Sequence, residues 1–323
     1  MKTIHVSKDG NYDYITISEA LASLSLKNTE EVCIFIHKGI YKERLTIQIP
    51  FLTLIGESQE ETVLTFDLYA RMPSPDTGKL GTFRSYSCLI DTHDFTAKNL
   101  TFENSSGIGP EVGQALAVYA DGDRLLFEDC RFLGSQDTLF TAPLPPKEIE
   151  PNGFIGPKQH AERLTGRHCY RRCYLEGDID FIFGGAVAYF EDCEFFSKDI
   201  NREINGYVTA ASTPKGQPYG YVMKSCRFTG NCPPHSVYLG RPWRDYARTV
   251  LIDCFIGEHI CADGWNDWNK PNARQTAYYA EYGSHGPSSN MSKRPDWIKR
   301  LTEQDLTLYT CEKVLAGTDH WTP

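Results

Sequence analysis

Long apolar runs are missing from this 323-residue chain. The longest, Phe181–Phe190, has ten residues and two of them are glycine. A membrane-spanning helix needs about 20, so no membrane partner is expected. Surplus positive charge is missing too: 33 Lys and Arg stand against 42 Asp and Glu, for a formal net charge of −9. A phosphate backbone finds no basic field here, which argues against DNA or RNA as a partner. The opening "MKTIHVSKDGNYDYITISEAL" lacks the apolar core of a signal peptide. The expectation is a cytoplasmic protein, with a secreted protein whose signal has been removed as the alternative.

Several chemical signatures are absent as well. The chain has no G-x-S-x-G elbow, no H-E-x-x-H, no glycine-rich phosphate loop and no cluster of metal-binding carboxylates. Its cysteines number eleven, an odd count in a long chain, which does not read as a disulfide framework. Buried, reduced packing residues are the expectation. Zinc is the sharper alternative, since Cys169 and Cys173 lie near His160 and His168. Their spacing matches no compact ligand pair, so neither metal nor cofactor is expected.

Helical periodicity is scarce. Ile17–Leu26 ("ISEALASLSL") reads as one helix with Ser18 as its cap, and Asp296–Leu306 ("DWIKRLTEQDL") as another. Between them lie many short strands broken by Gly, Asn and Asp.

Those strands repeat. "KNLTFEN" (Lys98–Asn104), "EDCRFLG" (Glu128–Gly134), "RRCYLEG" (Arg171–Gly177), "EDCEFFS" (Glu191–Ser197), "KSCRFTG" (Lys224–Gly230) and "IDCFIGE" (Ile252–Glu258) share one pattern. A small or apolar residue is followed two places later by Phe, Leu or Ile. The anchors Leu100, Cys130, Cys173, Cys193, Cys226 and Cys254 are 30, 43, 20, 33 and 28 residues apart. A strand-length unit at such intervals, without helices between units, is a solenoid signature. The expected fold is all-β: a right-handed parallel β-helix forming one domain over residues 1–323, with a short N-terminal capping helix and a C-terminal helical or loop segment. Cys130, Cys173, Cys193, Cys226 and Cys254 would then form one interior ladder.

The repeat gives meaning to two aspartates. Asp137 lies seven residues after Cys130, and Asp180 seven after Cys173. The 43-residue interval is one coil plus an excursion, assigned to the Pro-rich Ala142–Thr165. Without it the two aspartates occupy adjacent coils, stacked about 4.8 Å apart. At about 5 Å and an effective dielectric near 20, two such charges repel by roughly 3 kcal/mol, a little over two pKa units. One is then an anion and the other an acid, the division that nucleophilic and acid–base chemistry needs. Taken singly, each aspartate reads more readily as a turn residue. Their shared register beside Phe140, Phe181 and Phe183 favours the functional reading. Gln114 enters the coil of Asp137, and Arg241 and Trp243 lie on a later coil. Those residues bring amide donors for an oxyanion, a cation for a carboxylate and a flat surface for a sugar.

"GQALAVYADGD" (Gly113–Asp123), "GSQDTLF" (Gly134–Phe140), "DIDFIFGGA" (Asp178–Ala186) and "LGRPWR" (Leu239–Arg244) together resemble the four signature segments of the pectin methylesterases, or pectinesterases, in order and spacing. "VSKDGNYDYITISEAL" looks like that family's opening, and "TFRSYS" (Thr82–Ser87) like its substrate-contacting segment. "VTAASTP" followed by "YGYV" resembles its bacterial branch. The resemblance covers roughly residues 4 to 310.

It implies a carboxylic ester hydrolase that removes methyl esters from galacturonan or its oligosaccharides and works as a monomer. Asp180 would be the nucleophile and Asp137 the general acid, then base. Gln114 and Gln136 would stabilise the oxyanion, and Arg241 would keep Asp180 ionised. Phe83, Phe140, Phe183 and Trp243 would line the groove. The chain departs from the family at Gly185, where Asn is usual, and at Phe140, often Tyr. The rivals are a β-helical glycoside hydrolase, a β-helical lyase, for which no acidic calcium cluster is visible, and a β-helix that only binds polysaccharide.

Overall fold

The structure is a computed structural model that describes residues 2–323. Its strands wind into three parallel sheets of eleven, eight and seven strands. A full coil contributes one strand to each sheet, and the largest sheet runs on past the other two at both ends. Asp123–Glu128, Arg131–Leu133 and Leu139–Thr141 make one coil; Arg167–Arg171, Tyr174–Gly177 and Ile179–Gly184 make the next. The two stack with Leu125 on His168, Phe132 on Leu175 and Phe140 on Phe183. This is a parallel β-helix, as the repeat requires.

The predicted ladder is present. Arg131, Tyr174, Glu194, Arg227 and Phe255, each the residue after a ladder cysteine, pair in succession. All five ladder cysteines are buried in the main core. Each sulfur lies near a carbonyl of the preceding coil: Ala97 (3.4 Å), Phe127 (3.5 Å), Tyr170 (3.4 Å), Phe190 (3.5 Å) and Met223 (3.4 Å). The residue before each anchor has a left-handed backbone. Asn99, Asp129, Arg172, Asp192, Ser225 and Asp253 have φ between 51° and 55°. That conformation turns the chain from one sheet to the next, and Asn and Asp tolerate it best. The aromatics two places on stack inside with their neighbours, Phe102 on Phe132 and Phe195 on Phe228, at 5.6 and 5.2 Å.

Cys169 and Cys173 do not share a face. Cys173 belongs to the interior ladder, and Cys169 to a separate cluster beneath the C-terminal helix. The buried His168 ring contacts the Gly122 carbonyl, and burial pushes its pKa down to about 4. The geometry therefore does not gather these residues as one zinc-ligand set.

Two element boundaries differ from the sequence reading. The first helix is Ile17–Ala22, capped by a Thr16–Glu19 box, while Ser18 hydrogen-bonds Glu43. Asp296–Leu306 is not one helix. Lys299–Arg300 pairs with Ala280–Glu281 as the last strand of the largest sheet, and a Thr302–Asp305 box starts a helical turn at Glu303. Strand pairing satisfies the backbone at Lys299–Arg300, and this tertiary pairing outweighs helical propensity there. A second short helix, Cys311–Leu315, packs on Val187–Glu191.

Overfilling the ladder tests the register. Cys226→Leu pushes branched carbon into Cys193 and Cys254, so the expected cost is about 1–3 kcal/mol, read as a lowered denaturation midpoint. An unchanged midpoint would mean that Cys226 is not clamped between its neighbours.

Candidate active site

The seven-stranded sheet carries the site. Leu139–Thr141, Ile179–Gly184, Gly206–Ala211 and Val237–Gly240 lie side by side in it. Asp137 sits just before the first of these strands, with φ 66°. Asp180 has φ 52°, and the pairing of its strand with Gly206–Ala211 shifts register between Ile179 and Ile182. Such an irregularity re-aims side chains. Here Phe181 joins the interior core while Asp180 faces a cavity outside it.

That cavity has a volume of about 380 Å³. Of the residues read from the sequence, it brings together Phe83, Gln114, Gln136, Asp137, Asp180, Phe183, Arg241 and Trp243. Phe140 is the exception. It is fully buried beneath the wall, packed edge-on against Phe83 at 5.0 Å and tilted on Phe183 at 4.8 Å. It supports the aromatic wall without lining it, because its strand directs it under both rings. Gly185 also stands apart from the cavity lining. A Cβ there would meet the Pro143 and Ser212 carbonyl oxygens at 3.2 and 3.3 Å, so the close approach of the excursion favours glycine.

The two carboxylates differ in their partners. Arg241 grips Asp180 with both arms: Nε donates to Oδ1 at 2.8 Å and Nη2 to Oδ2 at 2.6 Å. Asp137 makes no side-chain hydrogen bond among the described residues. Both are 7% exposed. Burial pushes both pKa values up, and the charge of Asp180 pushes Asp137 further, well above the usual carboxylate range. Arg241 opposes the rise at Asp180 more directly, through contact and charge. Asp180 is therefore the first to lose its proton. The Gln114 and Gln136 side-chain amides have no hydrogen-bond partner among the described residues, so their N–H groups are free to donate into the cavity.

Sequence reasoning missed the groups that hold Arg241. Its guanidinium lies between Tyr207 and Trp268, 3.8 and 3.6 Å from the ring centroids. Stacking on both faces fixes the plane of the fork. Tyr207 was findable from the register, since it stacks one coil after Ile179. Trp268 carries no repeat signal. Phe154, also missed, reaches the cavity from the excursion and packs edge-on against Phe83 and Trp243. Lys158 anchors that excursion to Asp91 at 2.6 Å and Asp121 at 3.5 Å.

The comparisons agree with this geometry. A family model described as Pectinesterase matches residues 3–144 and 160–318. "Probable pectinesterase/pectinesterase inhibitor 23" of Arabidopsis thaliana is 35% identical over 98% of the chain, which spans only about half (53%) of that relative's length. "Pectinesterase 31", also of Arabidopsis thaliana, is 34% identical over 94% of the chain and 89% of its own. Among solved structures, pectin methylesterase PemA from Erwinia chrysanthemi superposes with a TM-score of 0.82 at 29% identity, covering 100% of this chain and 98% of that one. A pectin methylesterase in complex with a hexasaccharide gives 0.81 at 29% identity with the same coverage. These matches do not favour the bacterial branch over the plant one.

Two variants test the charge assignment. Asp137→Asn removes a buried carboxyl whose folded pKa is raised. That group favours the fold only in its protonated form, below its unfolded pKa of about 4, and costs stability as pH rises towards its folded pKa. The variant should therefore be more stable than the parent near pH 8, with the difference vanishing near pH 4. In Arg241→Ala, Asp180 loses its cation and its pKa rises. The acidic limb of the pH–rate profile should then move to higher pH.

Proposed function

Because the chain belongs to the pectinesterase family, we propose that it hydrolyses the methyl esters of homogalacturonan or its oligosaccharides through an acyl-enzyme on Asp180. One observation carries this reading. A carboxylate held by an arginine fork and an unpaired carboxyl, its pKa raised by burial and by the charge of Asp180, line one cavity with two unpartnered amides.

Each group has a step. An Asp180 oxygen attacks the ester carbonyl carbon, and the carbonyl π electrons move to its oxygen. The Gln114 and Gln136 amides donate to that oxyanion. Asp137 gives its proton to the methoxy oxygen as the C–O bond breaks, and methanol leaves. The product is a mixed anhydride between Asp180 and the galacturonate carboxyl. Asp137, now a carboxylate, takes a proton from water, and the resulting hydroxide attacks the galacturonate carbonyl. Asp180 departs as an anion, which Arg241 receives.

The aromatic wall of Phe83, Phe154, Phe183, Trp243 and Trp268 suits the apolar face of a sugar. The hexasaccharide bound by a structural relative supports a polymeric or oligomeric substrate. The eleven free cysteines, ten of them buried, support action in a reducing compartment on imported oligogalacturonides. Cell fractionation tests that part.

The mechanism is tested by separating the aspartates. Asp180→Asn should abolish release of methanol from methyl-esterified pectin. Asp137→Asn should lower it by roughly 10²–10⁴-fold. With a nitrophenyl galacturonate ester, whose leaving group needs no proton, Asp137→Asn should give a burst of about one nitrophenolate per site and then stall. A burst from Asp180→Asn instead would reverse the assignment. Reducing-end release without methanol would point to a glycoside hydrolase.

A further inference from the structure

A third carboxylate stands behind the pair. Asp178, 1% exposed, does not line the cavity. Its Oδ1 accepts the Ile179 N–H at 2.5 Å, and its Oδ2 accepts the N–H of Gly109, 69 residues away, at 3.2 Å. Gly109 opens the helical turn Gly109–Val112, whose end is closed by the Gly113 N–H donating to the Gly109 carbonyl at 2.8 Å. Gln114 comes next. The following N–H, of Ala115, donates to the Gln136 carbonyl at 3.0 Å.

The segment carrying one glutamine is thus fastened at both ends to the coils carrying the other glutamine and the nucleophile. The fit at Gly109 is close. A Cβ there would lie 2.8 and 2.9 Å from the Asp178 oxygens and 3.0 Å from the Gln136 Cβ.

Asp178 also lies one ladder step from the general acid. Its N–H donates to the Ser135 carbonyl, and the Asp137 N–H donates to the Ile179 carbonyl, each at 3.0 Å. The other charged groups acting on Asp137 are Asp180 and Arg241, and Glu150 and Arg244 line the same cavity; those acting on Asp178 are Lys198 and Arg202. Lys198 is already engaged, at 2.9 Å by the Gly134 carbonyl and at 3.5 Å by Glu176. Burial pushes the Asp178 pKa up, while two amide donors and these two cations pull it back. Its charge is one of the causes that raise Asp137.

We propose that Asp178 is a positioning residue for this reaction: its carboxylate tethers Gly109–Gln114 so that the Gln114 amide faces the cavity with Gln136. The inference rests on the esterase reading above. Asparagine at 178 keeps the shape but offers one acceptor oxygen to two N–H donors, and it carries no charge.

The test is methanol release from methyl-esterified pectin by the full chain across a pH series. In Asp178→Asn, kcat should fall on the order of tenfold or more, as for a displaced oxyanion donor, with KM nearly unchanged. Losing the charge lowers the Asp137 pKa, so the basic limb should move to lower pH. Gly109→Ala displaces the tether and leaves the charge, so kcat should fall while the basic limb stays in place. Because Asp178 acts through Gln114, Asp178→Asn should cost less in a Gln114→Ala background than in the parent.

An Asp178→Asn enzyme with the parent's kcat overturns the proposal, whatever its melting temperature. A rise in KM alone would also overturn it, making Asp178 a substrate contact. If Asp178→Asn does not fold, Gly109→Ala decides, and an unchanged kcat there overturns the proposal. A parent enzyme that releases no methanol defeats the esterase reading instead.

Discussion

Parallel strands pair about 4.8 Å apart, and in this protein that spacing sets where the reactive groups stand. Leu139 pairs with Ile182, and Ile182 with Thr209. Asp137, Asp180 and Arg241 are carried at those coils or one beyond. Asp180 lies in its strand, while Asp137 and Arg241 lie just outside theirs, with their N–H groups donating to the Ile179 and Thr209 carbonyls of neighbouring coils. The ladder keeps the spacing because its small sulfurs and stacked rings fill the interior with the same volumes coil after coil. A slip of one residue would turn every inward side chain outward, so the core enforces the register that the site then inherits.

On this scaffold the two aspartates diverge because their surroundings are unequal. Burial acts alike on both, as their equal exposure indicates. Arg241 then favours one of them. Its fork is held flat between Tyr207 and Trp268, so the guanidinium meets the carboxylate edge-on and spends both arms on Asp180. Asp137 receives only the distant part of that charge, together with the repulsion of its neighbours. Arg241, aimed by two aromatic rings, sets the two carboxyls apart: it lowers the pKa of Asp180 by contact and charge, with a smaller share from Lys270, and reaches Asp137 by charge alone. The cost is a buried, unpartnered acid, the kind of local instability that active sites tolerate.

The excursion contributes differently. It leaves the solenoid after Thr141 and returns at Arg167, and its role is shape. Phe154 closes one side of the cavity, and Lys158 fixes the segment to two aspartates of earlier coils. Arg244 adds a second tie by donating to the Lys147 carbonyl at 3.0 Å. The cavity wall is therefore part solenoid and part excursion, with Phe140 buried beneath it as a support.

The solenoid and the aspartate pair were legible in the chain itself. Period-two alternation and a repeated small–aromatic spacing are local properties, set by how a single strand presents its two faces. Counting seven residues from Cys130 and Cys173 was enough to align Asp137 with Asp180, because coils of a parallel stack share one register. The C-terminal segment was misread for the converse reason. Its helical spacing was real, but an edge strand offered its backbone partners in a different conformation. Only the tertiary structure decided which way Phe140 faces, that Tyr207 and Trp268 clasp Arg241, and that Asp178 reaches Gly109 across 69 residues. Such contacts join segments distant in sequence and follow no period, so they exist only once the coils have closed on one another.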